Sequence, residues 1–163
     1  MMMVVLALLG CDRQGQETTV SEDGVDLFAI SDRVFNRFAE VGYDNLSTPE
    51  QVFITIWSLE ADVNNGGFDQ YFFNSWGDLA AQTPAALEAV GAAHTAEIVR
   101  RANQVFGKGG PSPDRNRRQK QLDSLPATAS GEFDSLDEAF YAYEDDLETL
   151  LKAYSRKHRT AFK

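Results

Sequence analysis

Large apolar residues recur at intervals of three and four along most of the chain, and glycines and prolines interrupt them. This spacing places apolar side chains on one face of an α-helix. Period-two alternation, which would indicate strands, does not extend beyond a few residues. The sequence therefore predicts an all-α fold, an irregular bundle of six to seven helices in a single domain. The first predicted helix carries Leu27, Ile30, Val34, Phe38 and Val41 and ends at Gly42.

Helix signals divide the first two thirds of the chain. Thr48-Pro49-Glu50-Gln51 predicts a helix start with a capping threonine and a glutamine that closes a capping box. The segment 64–67, Asn-Asn-Gly-Gly, should end that helix, since these residues tolerate left-handed backbone. A short aromatic helix is expected from Phe68 to Gly77. Two more helices follow: the first begins at Thr83 and ends at Gly91, and the second ends at Gly107.

The last third of the chain is predicted to form two helices. Residues 107–113 form a glycine-rich and proline-rich loop, and a basic helix should run from there towards Leu125. A second loop is expected at residues 126–131. Apolar spacing then continues from Leu136 to Tyr154, and Ser135 begins a capping box, so we expect one long helix that packs centrally.

The charge of the chain changes along its length. The 163 residues suit one domain, and the net charge is −10. Residues 38–99 and residues 121–151 each hold nine acidic and no basic residues, whereas 100–120 carries +6 and 152–163 carries +5. An acid-rich body repels nucleic acid and anionic headgroups, so direct binding to either would have to rely on the two short basic blocks. We expect no direct nucleic acid binding, and contact with a membrane only through a lipid anchor.

The only cysteine, Cys11, follows an apolar run from Val4 to Gly10. This run resembles a bacterial lipoprotein signal, in which the cysteine is lipidated, although it contains no lysine or arginine and has the bulky Leu9 in the lipobox. The alternative is an incidental apolar N-terminus with a free thiol. The resemblance implies localisation at the cell envelope. The predicted organisation is a signal peptide at 1–10, a polar tether at 11–24, a helical domain at 25–157 and a basic tail at 158–163.

The chain offers few groups for catalysis. Its two histidines lie in no HExxH pair, no serine lies in a nucleophile elbow, and the residues around Asp62 match a calcium loop only in part. We therefore predict no catalytic residues, no metal, no cofactor and no enzymatic activity. The competing hypothesis is a carboxylate-based enzyme that uses Glu60, Asp62 and Asp69.

Residues 60–75, Glu-Ala-Asp-Val-Asn-Asn-Gly-Gly-Phe-Asp-Gln-Tyr-Phe-Phe-Asn-Ser, form the densest group of amides, aromatics and glycines in the chain. Their Asn-Gly-Gly-Phe motif resembles that of the bacterial DMP-type (DNA-mimic protein) family of helical domains of unknown function. Residues 86–92 and 136–141 are similar to later blocks of the family, so the resemblance covers most of 25–157. It implies an interaction protein whose carboxylates replace DNA phosphates on a DNA-binding regulator.

The motif also has an interpretation from its residues alone. Glu60 and Asn64 lie one turn apart on one helix, and Gln70 and Asn74 do so on the next. Their side chains could converge at the corner to bind a polar ligand, or they could tie the corner together, and we favour the second. The candidate motif comprises Glu60, Asn64, Asn65, Gly66, Gly67, Phe68, Gln70, Tyr71 and Asn74.

Acidic residues on the predicted last helix provide a candidate interaction flank: Asp134, Asp137, Glu138, Asp145 and Glu148. Their spacing is comparable with that of phosphates, although an exposed flank can also be merely solvated. We predict an acidic module that binds another protein and is tethered to the envelope through Cys11. The alternative is a cytoplasmic DNA mimic, and the two hypotheses largely exclude each other because an exported domain meets no transcription factor.

Overall fold

The computed structural model describes residues 24–163. These residues form seven α-helices and two short 3₁₀ helices, which confirms the predicted all-α bundle. The predicted signal peptide, the lipidation site Cys11 and most of the tether lie outside the described residues. The helices are α1 (Leu27–Val41), α2 (Thr48–Phe73), α3 (Thr83–Val90), α4 (Ala93–Gln104), α5 (Arg115–Asp123), α6 (Thr128–Tyr141) and α7 (Leu147–Lys157).

Helix α2 is the centre of the bundle. It contacts α1, α3, α5, α6 and α7, and buried residues lie on nearly all its sides. A helix that is apolar all round belongs in a core, because no face is left for solvent. The prediction that the last helix packs centrally is therefore wrong. None of the helices in the range 24–163 is both long and apolar enough to cross a membrane.

Glycine ends two of the predicted helices as expected. Gly42 follows α1 with a φ of 76°, and Gly91 follows α3 with a φ of 92°. The start of α2 differs from the prediction by one residue, since Ser47 precedes the helix and its N–H and Oγ both donate to Glu50. The aromatic helix ends at Phe73 and not at Gly77, and a 3₁₀ helix follows over Ser75–Leu79.

The last predicted helix is two helices, so that prediction is wrong. The predicted loop at 126–131 is also wrong, because α6 already begins at Thr128. Between α6 and α7 the backbone turns at Tyr143, whose φ is 47°. The carboxylate of Asp146 then accepts a hydrogen bond from the Thr149 N–H and begins α7. Aspartate favours such caps, and here capping overrides a continuous apolar period.

Residues 158–163, assigned to the basic tail, pack against the body. Phe162 is buried, and its carbonyl accepts a hydrogen bond of 2.6 Å from the Arg33 guanidinium. Its ring lies 5.7 Å from that of Phe53 in α2. The C-terminal segment therefore closes over the same end of the bundle as α1.

Candidate functional site

The predicted corner lies inside α2. Helical geometry is broken at Gly66 and Gly67, and Gly67 has a φ of 71°, which an L side chain rarely adopts. A Cβ on Gly67 would overlap the carboxylate of Asp137 from α6. That carboxylate accepts a hydrogen bond of 2.8 Å from the Phe68 N–H, the first free amide of the second half of α2. Gly67 is thus required both for the turn and for the approach of α6.

Two polar networks hold the corner. In the first, Tyr143 donates to Glu60 at 3.0 Å and accepts from the Asn64 amide at 2.6 Å. The neighbouring Tyr141 hydroxyl donates to the Val63 carbonyl at 2.7 Å. The first network therefore attaches the α6 to α7 junction to the first half of α2.

The second network surrounds the buried carboxylate of Asp62. Its Oδ1 accepts from Asn74 at 2.8 Å and from Gln70 at 3.4 Å, and Gln70 also accepts from Asn65 at 2.9 Å. The Oδ2 of Asp62 is buried and has no hydrogen-bond partner within residues 24–163. This network crosses the glycine break and joins the two halves of α2.

The four side chains expected to converge at the corner do not meet at one point. Glu60 and Asn64 meet Tyr143, whereas Gln70 and Asn74 meet Asp62. The two aromatic residues of the motif face the core: Phe68 is buried, and the buried Tyr71 hydroxyl lies 2.8 Å from that of Thr83. Since each predicted amide bonds to the protein itself, these contacts support the structural interpretation of the motif.

The predicted acidic flank is divided between α6, the α6 to α7 junction and the first turn of α7, so its members do not share one face of a helix. Two of its members act as caps. Asp137 accepts from Phe68, and Asp145 accepts from the N–H and hydroxyl of Thr95 in the first turn of α4. The other three members, Asp134, Glu138 and Glu148, are exposed.

Carboxylates from α2, α6 and the start of α7 nevertheless lie close enough to affect one another. Burial raises the pKa of Glu60, and the negative charges of Glu148 and Asp146 raise it further. Burial also raises the pKa values of Asp69 and Asp137, with further increases from neighbouring carboxylates. We call this set the acidic surface: Glu60, Asp69, Asp134, Asp137, Asp146 and Glu148.

Two tyrosines lie between the carboxylate groups of the acidic surface. Tyr141 and Tyr143 are 45% and 40% exposed, although their hydroxyls are fixed on α2. Burial is the largest cause of the raised pKa of each tyrosine. The negative charge of Asp137 raises the pKa of Tyr141 further, and that of Glu60 raises the pKa of Tyr143 further. The two exposed rings therefore connect the two carboxylate groups.

A buried arginine at the far end of α2 was missed by the sequence analysis. Arg118 of α5 is fully buried, and it donates to the carbonyls of Phe72, Asn74 and Ser112 at 2.6–2.7 Å. Its Nη1 lies 2.8 Å from the Asp78 carboxylate. A Cβ on Gly77 would lie 2.7 Å from the Arg118 Nε, so this glycine makes room for the guanidinium. A strongly polar helix gives no sequence signal that one of its arginines is buried.

Other features of the described part of the chain add no chemistry to the corner. No group of three or more histidine, cysteine, aspartate or glutamate side chains in residues 24–163 is arranged to hold a metal ion. An open groove of about 430 Å³ lies between α4 and α6, with Arg101 and Glu132 among its lining residues. No member of the predicted corner motif lines it.

Comparison with known proteins identifies a family. No curated protein and no solved structure matches the chain. A family profile described as DMP19-like protein matches residues 44–158, which include all the predicted motif residues and both halves of the acidic surface. The matched range covers most of the chain and agrees with the resemblance carried by the Asn-Gly-Gly-Phe motif. The chain therefore belongs to the DMP19-like protein family.

Proposed function

We propose that the protein is an acidic module that binds a basic partner protein through Tyr141, Tyr143 and the acidic surface. The exposed rings between two groups of carboxylates carry this proposal. Tyrosine is enriched at interface centres, and its face attracts arginine and lysine. Carboxylates around it would attract a basic partner and repel nucleic acid.

The geometry of the tyrosines supports the proposal further. Their hydroxyls are held by α2, so the rings lose little freedom when a partner binds. Tyr143 also has a φ of 47°, a conformation that costs energy for a non-glycine residue. Strained residues of this kind cluster at binding sites, where the surrounding contacts maintain them.

A tyrosine substitution tests the proposed surface. Replacing Tyr141 with Ala should weaken partner capture about tenfold or more, the loss typical of an aromatic residue at the centre of an interface. Phe73→Ala is the matched control, since Phe73 is similarly exposed, at 53%, and its ring lies 5.8 Å from the guanidinium of Arg115 in α5. Partners are captured from cell extract and identified by mass spectrometry. Their capture should require Tyr141 and should weaken as the salt concentration rises. Equal capture by both variants would remove the proposal.

We propose that the module is tethered to the cell envelope through lipidated Cys11. The support is the lipoprotein-like sequence alone, since Cys11 lies outside the described residues. Radiolabelled palmitate should enter the wild type and not Cys11→Ala. An unlabelled protein in the cytosol would contradict the tether and leave the binding surface untouched.

DNA mimicry in the cytoplasm is the second candidate, and the resemblance carried by the Asn-Gly-Gly-Phe motif supports it. A captured DNA-binding protein should then be released by duplex DNA that carries its site. Release by duplex DNA and a cytosolic location would together favour mimicry over the tethered module. We propose no catalytic role for Asp62, because both neighbouring amides already bond its Oδ1.

A further inference from the structure

The first turn of α1 carries the most exposed large apolar residue among those described. Phe28, in the first turn of α1, is 74% exposed, and its ring lies edge-on to that of Trp57 at 5.3 Å. A single exposed phenylalanine is common on protein surfaces. Its meaning therefore depends on its surroundings.

Aromatic contacts connect Phe28 to the C-terminal segment. The Trp57 ring stacks on Phe53 at 5.6 Å, and Phe53 contacts Phe162. Arg33 of α1 holds the Phe162 carbonyl. The first turn of α1 and the last residues of the chain thus lie at the same end of the molecule.

This end is positively charged. Residues 156–163 contain four basic and no acidic residues, and the four are exposed. Within α1 the exposed carboxylates Asp32 and Glu40 are balanced by Arg33 and Arg37, and Asp26 caps the start of the helix. The acidic surface begins only at Glu60, one helical turn beyond Trp57. We call this end the basic pole: Phe28, Trp57, Arg156, Lys157, Arg159 and Lys163.

We propose that the basic pole lies against an anionic phospholipid surface, with the Phe28 ring inserted at the interface. The basic residues attract anionic headgroups, and phenylalanine and tryptophan are suited to the boundary between headgroups and acyl chains. The same orientation directs the acidic surface away from the membrane, towards a partner. The separation of the basic residues 156–163 from the acidic surface thereby gives the protein a fixed orientation on the membrane.

The position of the proposed tether supports a membrane as the surface that the basic pole contacts. The inference rests on that tether. Thirteen residue steps separate Cys11 from Gly24, and Phe28 follows four residues later. Even fully extended, that length keeps the first described residue within about 45 Å of a lipid anchor. A tethered surface binds at high effective concentration, so weak affinity for lipid is sufficient.

Vesicle binding by the full chain with Cys11→Ala tests the basic pole without an acyl chain. Vesicles of phosphatidylcholine and phosphatidylglycerol in equal parts should co-sediment the protein, and pure phosphatidylcholine vesicles should not. Phe28→Ser should reduce binding about tenfold, and the pair Arg159→Gln and Lys163→Gln should reduce it similarly and lower its salt dependence. Phe73→Ser, a similarly exposed phenylalanine outside the pole, should bind as the parent does.

A spectroscopic measurement locates the contact. In a Trp76→Phe background Trp57 is the only indole, and its fluorescence should shift to the blue with anionic vesicles and be quenched by brominated acyl chains. Equal binding by every variant would overturn the proposal, since the apolar residues 4–9 would then explain the binding. Binding to duplex DNA without binding to vesicles would overturn it as well. Palmitate labelling of Cys11 reports on the tether separately, so failure of one inference does not conceal failure of the other.

Discussion

The two ends of the segment Phe68–Phe73, the second half of α2, are capped by opposite charges from different helices. At its N-terminal end the Asp137 carboxylate accepts from the Phe68 N–H. At its C-terminal end Arg118 donates to the carbonyls of Phe72 and Asn74. Each charge is opposite to the helix dipole at its end, so both caps stabilise the segment.

The two caps differ in burial, and this difference determines how replaceable each one is. Asp137 is partly exposed, so water can take over its hydrogen bond to the Phe68 N–H. Arg118 is fully buried, and its hydrogen bond to the Phe72 carbonyl is buried with it, so water cannot readily replace that donor. The Gly-Gly motif therefore marks the replaceable cap in the sequence, whereas no motif marks the buried cap at Arg118.

The largest effect is expected from Arg118→Met. It leaves the buried Phe72 carbonyl and the partly buried Asn74 and Ser112 carbonyls without their donor, so the free energy of unfolding should fall by about 3–5 kcal/mol. Urea denaturation followed by circular dichroism measures the change. Arg117→Met, at an exposed position on the same helix, should change stability by less than about 0.5 kcal/mol. A loss below about 1 kcal/mol at position 118 would show that the two caps are equivalent.

Gly67→Ala should have the next largest effect, about 2–3 kcal/mol, because a left-handed residue gains a Cβ that displaces Asp137. Gly66→Ala is the matched control. Its φ of −169° suits any residue, and its Cβ would meet the flexible side chain of Gln70. Thermal unfolding of both variants gives the comparison. If Gly66→Ala costs more than Gly67→Ala, the assignment of strain to Gly67 is wrong.

The smallest effect concerns the repulsion among the carboxylates around the N-terminal end of the segment Phe68–Phe73. The raised pKa values of Glu60, Asp69 and Asp137 mean that the folded chain binds protons more tightly than the unfolded chain. Their contribution to stability therefore decreases as pH rises from the ordinary carboxyl range, about 4, through the folded pKa values. Glu60→Gln should flatten this dependence and add a few tenths of a kcal/mol at neutral pH, while its amide oxygen still accepts from Tyr143. Urea titrations across this pH range measure the slope, and a steeper decline in the variant would contradict the sign.

Local signals predicted the first half of the fold well. Gly42 and Gly91 end helices as expected, and the start of α2 was wrong by one residue. The prediction of a single last helix was wrong because the apolar period continues through the α6 to α7 junction. Asp145 and Asp146 break it there by capping α4 and α7, and the partner of Asp145 lies fifty residues earlier in the chain.

The sequence predicted the helix break at Gly66 and Gly67, but not the partners of the residues around it. Asn64 pairs with a tyrosine seventy-nine residues later, and Phe68 with an aspartate sixty-nine residues later. Arg118 lies in a helix so polar that its composition indicates exposure. Such long-range pairs depend on how helices pack, which spacing within one helix does not report.

The double capping of Phe68–Phe73 has a consequence for synthesis of the chain. Six residues are too few to form a stable helix alone, because nucleation costs more than the few hydrogen bonds return. The aromatic residues of this segment leave the ribosome well before Arg118 and Asp137 do. In an incomplete nascent chain the segment therefore lacks both of its caps. A chain that stops before α5 would keep them uncovered, and we expect such truncated products to aggregate or to be degraded.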